Sequence, residues 1–388
     1  MSAVATVFKK EVQDNLRDRR TVLSALGMAV LSPILFMGLM SFVLETTVSD
    51  ATKSISLPVI GAEQAPNLIA FLAQNNIDVI EGPEDADAAV RDRVHGVVLE
   101  IPEDFGERLT SGAPAPLRLI YDSSRTKDSE RGYRRVRDVL GGYNRLVGAM
   151  RLQARGVSPQ VVNPIAINVS NVATPSARAL AVLGVIPYFV IFSLFMGGFY
   201  LAIDTTAGER EQGSLEPLLA QPVARAALAL GKLLATALFS AATLFLVLLA
   251  FSVAIGFVPL QKVGMSVEFG FGKVLALWVM LVPMSLLAAA FMTVVASFTK
   301  SFKEAQTYLT LVILIPTLPL MMVAFLAPEA TAGTMAIPSL SQALIITGGI
   351  KGEWVAAPLV GISVATTLLV ALILTFVAVW LYQREAIL

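Results

Sequence analysis

The residues best suited to recognition chemistry lie between Gly208 and Val223, where the chain reads GEREQGSLEPLLAQPV. Glu209, Glu211 and Glu216, with Arg210 among them, offer charge pairing. Leu215, Leu218 and Leu219 stand at i, i+3 and i+4 and so share one face of a helix. Gly213 suits the end of a preceding helix, and Ser214 is a good N-cap for the next. Pro217 would fall in the first turn, where a missing N–H is tolerated, and Pro222 stops the helix. The spacing therefore predicts a short amphipathic helix of about two turns with an acidic flank. Lipid, the chain's own helices and a partner protein could each cover the apolar face, and the residues alone leave the three open.

Bond-making chemistry has little support elsewhere. The sequence contains no G-x-x-x-x-G-K-[ST] run, so a P-loop for ATP is missing. Cysteine is absent and His95 is the only histidine, which leaves no metal-ligand cluster. His95 opens a predicted strand and is read as structural or exposed. The chain is not expected to be an enzyme, to hold a cofactor or metal, or to bind nucleic acid.

The elements around this segment are those of a membrane protein. Of 388 residues 55% are hydrophobic and 15% charged, with a mean hydropathy of +0.71, against about 25% charged in soluble domains. Six apolar runs are long enough for the ~20 residues that cross a bilayer: 21–44, 179–203, 224–260, 274–299, 305–327 and 353–383. Charges in these runs lie only near the ends, so mid-membrane Asp, Glu, Lys or Arg, the mark of ion-coupled carriers, are missing. Pro33, Pro187, Pro283, Pro316 and Pro319 are kink formers of the kind membrane helices tolerate.

Basic residues set the orientation. Lys9, Lys10, Arg17, Arg19, Arg20, Arg210, Arg225, Lys232, Lys300, Lys303 and Arg384 fall on one side, against Lys262, Lys273 and Lys351 in short loops on the other. The positive-inside bias puts both termini and the 204–223 segment in the cytoplasm, and residues 45–178 outside. Residues 1–20 place Val4, Phe8, Val12 and Leu16 four apart, as in an amphipathic helix lying at the interface with its basic end on lipid headgroups.

The 45–178 insert has a different character. SLPVIGA, NIDVIEG, HGVVLEIP and LRLIYDSS read as strands alternating with the helical APNLIAFLAQNN and DADAAVRDRV, the pattern of a small α/β domain. From Arg131 onward Tyr133, Val136, Leu140, Tyr143, Val147 and Met150 predict a long helix with one apolar face, weakened at Gly141–Gly142. VVNPIAINVS is read as a last strand. Residues 328–352 are too interrupted by Pro and Gly for a further span and suit an external loop with a short or re-entrant helix buried against protein. The expected fold is thus a helical membrane protein with six transmembrane helices and a large α/β extracytoplasmic domain between the first and second.

At this point a resemblance adds to the residues. GEREQGSLEPLLAQPVARAALALGKLLA is similar to the coupling-helix region of ABC exporter permeases of the type-2 membrane family, above all the NatB-like branch. FKKEVQDNLRDRRTVLSALGMAVLSPILF, Phe8–Phe36, resembles that branch's N-terminus, and the order of one span, an external domain and five spans matches as well. The resemblance implies a permease subunit in the bacterial inner membrane, paired with a second copy or a paralogue, surrounded by lipid and served by two separate ATPase subunits that carry ATP and Mg. It implies that Glu209, Arg210, Glu211, Gly213, Ser214, Leu215, Glu216, Leu218, Leu219 and Pro222 couple to the ATPase, the leucines as an apolar ridge and the acids as charge partners. The exported substrate would be sodium, a drug, a peptide or a lipid, although no buried carboxylate suggestive of a sodium site is evident. The rival reading is a membrane-anchored sensor or envelope assembly factor, whose basic helix SERGYRRVRDVLGGYNR could hold something acidic.

Overall fold

The computed structural model describes residues 2–17, 19–52, 54–122, 127–162, 175, 183–326 and 328–383. It divides into a helical unit, Met1–Thr46 with Val172–Leu388, and an inserted unit, Thr47–Asn171.

In the helical unit, five windows among the described residues are long and apolar enough to cross a membrane: Ala29–Thr46, Ile186–Glu211, Arg225–Ile255, Phe271–Ser297 and Ala357–Gln383. The run expected as one span at 305–327 is instead two helices, Phe302–Val312 and Leu314–Leu326. Proline explains the break. Pro316 has no N–H for the carbonyl four residues back, so the helix restarts and places Pro316 in a first turn. At ~1.5 Å per residue neither piece alone matches ~30 Å of hydrocarbon.

The helix Arg225–Ile255 is central. Ile186–Ile203 crosses it where Gly197 and Gly198 meet Thr243, Ser240 and Thr236. A Cβ on Gly197 would lie 2.2 Å from Thr243 Oγ1, and one on Gly198 2.5 Å from Ser240 Oγ. Small residues thus let two backbones approach, and dispersion over that contact replaces a hydrophobic force that lipid does not provide. The helix Leu340–Lys351 is buried on most sides. Its Gln342 amide donates to Ser363 Oγ at 3.3 Å and Thr367 Oγ1 at 2.8 Å, so its polar groups are matched on the last span, Ala357–Gln383.

The inserted unit is built on a four-stranded sheet, β1 Ile55–Ile60, β2 Ile77–Glu81, β3 Val97–Glu100 and β4 Arg118–Tyr121, in the order β2-β1-β3-β4. β1 runs parallel to β2 and β3, and β4 is antiparallel to β3. The parallel pairs need crossovers, supplied by the helices Pro66–Gln74 and Ala86–Arg91. Asp85 caps the second, accepting the Ala88 N–H at 2.9 Å. Leu57, Leu68, Leu72, Ile77, Leu99 and Val136 form the buried centre. Val136 comes from the helix Lys127–Ala154, which runs unbroken through Gly141–Gly142. Of the segment read as a last strand, a short 3-10 turn at Pro159–Val162 is described and residues 163–170 lie outside the described residues.

Candidate functional site

The Gly208 segment begins inside a helix. Ile186–Ile203 continues through one π-helical turn, Asp204–Gly208, into Glu209–Glu211. The wide turn changes which carbonyls are satisfied, as such bulges do. Thr205 Oγ1 donates to the Leu201 carbonyl at 2.7 Å, Thr206 Oγ1 to that of Ala202, and the buried Tyr382 hydroxyl to that of Thr205 at 3.4 Å. The helix then ends at Gly213, whose φ of +67° is the left-handed conformation glycine adopts without strain. Gly213 N–H donates to Arg210 and Ser214 N–H to Glu209, both at 3.0 Å, the paired bonds of a Schellman ending.

The three charged residues before that ending each fasten a different element. Glu209 Oε1 accepts from Lys232 Nζ at 2.5 Å. Lys232, 1% exposed, also lies 3.3 Å from Glu11 Oε1, and Glu11 is 4% exposed. Arg210 donates to the Thr299 carbonyl at 2.6 Å and the Ser297 carbonyl at 3.5 Å, placing its charge at the negative end of Phe271–Ser297. Glu211 Oε2 accepts the Phe302 N–H at 2.6 Å, a carboxylate at the positive start of Phe302–Val312. The resemblance implies that these side chains meet an ATPase; within the chain they bind its own helices. Glu11 is buried and Glu209 half-buried, and both carboxylates are held by lysine.

The N-terminal helix Ala3–Arg17 is part of the same cluster. It lies across Arg225–Ile255 at Gly231, where a Cβ would stand 2.6 Å from Val7 Cβ. Phe8 and Val12 pack on Leu201, Ala235 and Phe239, so this apolar stripe is covered by protein, whereas Leu16 is exposed. Lys10 Nζ lies 3.1 Å from Glu11 Oε1. Burial lowers the Lys10 pKa, but the charge and hydrogen bond of Glu11, with Glu209 and Asp14, outweigh it and hold the ammonium above its ordinary value.

Beyond Gly213 the helix Leu215–Leu219 is one and a half turns long. Ser214 occupies its N-cap position without capping it, because its hydroxyl donates back to the Glu209 carbonyl at 3.2 Å. Leu215, 3% exposed, packs with Leu228, Ala229 and Tyr382, and Leu218 joins them half-buried. The leucine ridge is therefore turned inward onto the bundle. The backbone of Leu219 closes the helix, but its side chain lies outside the described ones. Gln212, Gly213, Ser214, Glu216, Pro217, Ala220, Gln221 and Pro222 are exposed.

Sequence reasoning missed Glu11, Lys232 and Tyr382. The signals were a single lysine inside the apolar run LALGKLLATALF and a glutamate three residues after Phe8, beside the apolar stripe. A cation so placed is stable only with carboxylates brought to it by other elements.

A stack of apolar helices closed at one end by a polar clasp, with an α/β unit inserted in sequence after the first long apolar helix, defines a multi-pass membrane protein. The chain belongs to the ABC-2 family of transporter proteins, whose family model matches residues 24–382. Among curated proteins it is similar to the ABC transporter permease protein NatB of Bacillus subtilis (strain 168), 27% identical over 328 residues, or 83% of each chain. No solved structure matches it.

Proposed function

We propose that this chain is the membrane-spanning subunit of an ATP-driven exporter of the bacterial plasma membrane, and that a separate ATPase drives it through the Gln212–Pro222 surface. The supporting observation is the division of the Gly208 segment. Glu209, Arg210 and Glu211 tie it to three bundle helices, and the residues after them face outward. ATPase subunits closing on ATP and Mg push on Glu216, Pro217 and the Gly213 turn. Leu215 and Leu218 are the key that carries the push into Leu228, Ala229 and Tyr382, and Arg210 carries it to the end of Phe271–Ser297. Termini and clasp lie in the cytoplasm, and a second copy or a paralogue completes the pathway. The cargo class, sodium, drug, peptide or lipid, is to be read from substrate-stimulated ATP turnover.

The test is copurification of the tagged chain, made in its native host, with a subunit that carries a P-loop. Glu216→Lys with Gln212→Lys is expected to weaken association about tenfold, equal to ~1.4 kcal/mol, with membrane insertion unchanged. Undiminished association, or the lack of any ATPase partner for the native chain, would overturn the reading.

A further inference from the structure

At the end of the bundle opposite the clasp lies the helix Leu340–Lys351. Its last turns meet Phe271–Ser297 at Leu277, where a Cβ on Gly349 would stand 3.2 Å from the leucine side chain. Leu277 is near the start of that helix, whereas Arg210 of the clasp binds carbonyls at its end. At 1.5 Å per residue the two contacts are ~30 Å apart.

The start of Leu340–Lys351 is held by polar groups instead. Ser363 Oγ donates to Ser341 Oγ at 2.8 Å, Ser341 Oγ to Gln342 Oε1 at 3.2 Å, and the Gln342 amide to Ser363 Oγ at 3.3 Å. These three side chains close a ring in which each both gives and takes a hydrogen bond. The second amide hydrogen goes to Thr367 Oγ1 at 2.8 Å, and Gln342 Oε1 also accepts the Ser339 N–H at 2.6 Å. Gln342 thus uses both donors and both acceptor positions. All five residues are at most 2% exposed, so the bonds reinforce one another and none can be traded for water. Loss of one member strands the others, and the ring holds or releases as a unit.

Ser339 is held in a strained conformation. Its φ of +69° and ψ of −49° lie near the rare γ-turn that serine disfavours. The ring grips that residue directly, through its N–H. At the other end of the helix Gly352 has φ +79°, and the Glu353 N–H donates to the Gly348 carbonyl at 2.9 Å. A strained, latched start and a glycine turn at the far end are the parts of a hinged lid.

We infer that the Ser341–Gln342–Ser363 ring is a latch: it holds Leu340–Lys351 as a lid on this end of the bundle, and its release lets the lid swing about Gly348–Gly352. That the lid swings during ATP turnover rests on the transport reading; that the ring alone keeps it seated does not. A passive anchor would contain the same ring, but its loss would loosen the whole bundle rather than free one helix.

The chain has no cysteine, so Ala343→Cys places a lone thiol on the lid where the native side chain is 0% exposed. The full-length protein in maltoside micelles is treated with a charged methanethiosulfonate, and the labelling rate is measured beside the melting temperature. Labelling is expected to be slow with the ring intact. Adding Gln342→Leu, which keeps the bulk and cannot bond, should raise the rate at least tenfold and leave the melting temperature nearly unchanged, because water reaches the freed groups once the lid lifts. In complex with the P-loop subunit from the native host, ATP with Mg should raise the rate while the ring residues are native. A Gln342→Leu rate equal to that with the ring intact overturns the latch, as does a fall in melting temperature that accounts for the faster labelling. A rate in the complex that ATP leaves unchanged also overturns it. If no such subunit copurifies, the transport reading fails, and the micelle measurement alone decides the latch.

Discussion

The two halves of GEREQGSLEPLLAQPV both carry glutamate and place it oppositely. In the first, Glu209, Arg210 and Glu211 find partners on Lys232, Thr299 and Phe302. In the second, Glu216 and Pro217 are exposed while Leu215 is buried on the bundle. The difference teaches that acidity in such a segment does not mark a docking surface. A charge close to several helix ends is drawn inward, because unmatched N–H and C=O groups and a buried lysine reward it there. Glu216, in the first turn of its own short helix, makes no ion pair with another element among the described residues.

The largest effect that would sharpen this contrast is at Lys232. Lys232→Met removes the buried cation that Glu11 and the half-buried Glu209 share and leaves Glu11 only the more exposed Lys10, a loss of about 3–5 kcal/mol for breaking a buried pair. A marked drop in apparent Tm in detergent is expected, and adding Glu11→Gln and Glu209→Gln should restore much of it. Leu215→Ala removes a buried side chain from the inward ridge and should cost about 2–5 kcal/mol, read as a lower apparent Tm. A Tm unchanged from the native chain would mean that the ridge faces outward. Arg210→Gln is expected to cost about 1–2 kcal/mol and to show first as faster hydrogen exchange at the 297–302 turn. Ser214→Ala should change stability by less than about 0.5 kcal/mol. A loss near the ~1 kcal/mol typical of a helix cap would restore the capping role that the hydroxyl's bond to Glu209 contradicts.

Much of the fold was legible in the sequence because its signals are local. Long apolar runs marked most of the long helices, and short apolar segments alternating with helical ones marked β1 to β4. Gly213 announced its own left-handed turn. Pro316 was read as a kink, and the helix is interrupted for one residue at Ile313 and restarts at Leu314, with Pro316 in its first turn and Pro319 inside it. The clasp was not legible, because Glu11, Glu209 and Lys232 are more than twenty residues apart at their closest and meet only through packing at Gly231. Helical spacing gave the leucine face correctly but not its direction. Direction depends on Leu228, Ala229 and Tyr382, and Tyr382 lies at the far end of the chain.

The most direct measurement is site-specific crosslinking of the intact complex. A photoreactive residue replaces Glu216 in one sample and Leu215 in another, with the protein made in its native host. Expected is a crosslink to the ATPase from position 216, with position 215 linking only within the permease chain. Crosslinks to the ATPase from 215 and none from 216 would contradict the division of the segment into an inward clasp and an outward docking surface.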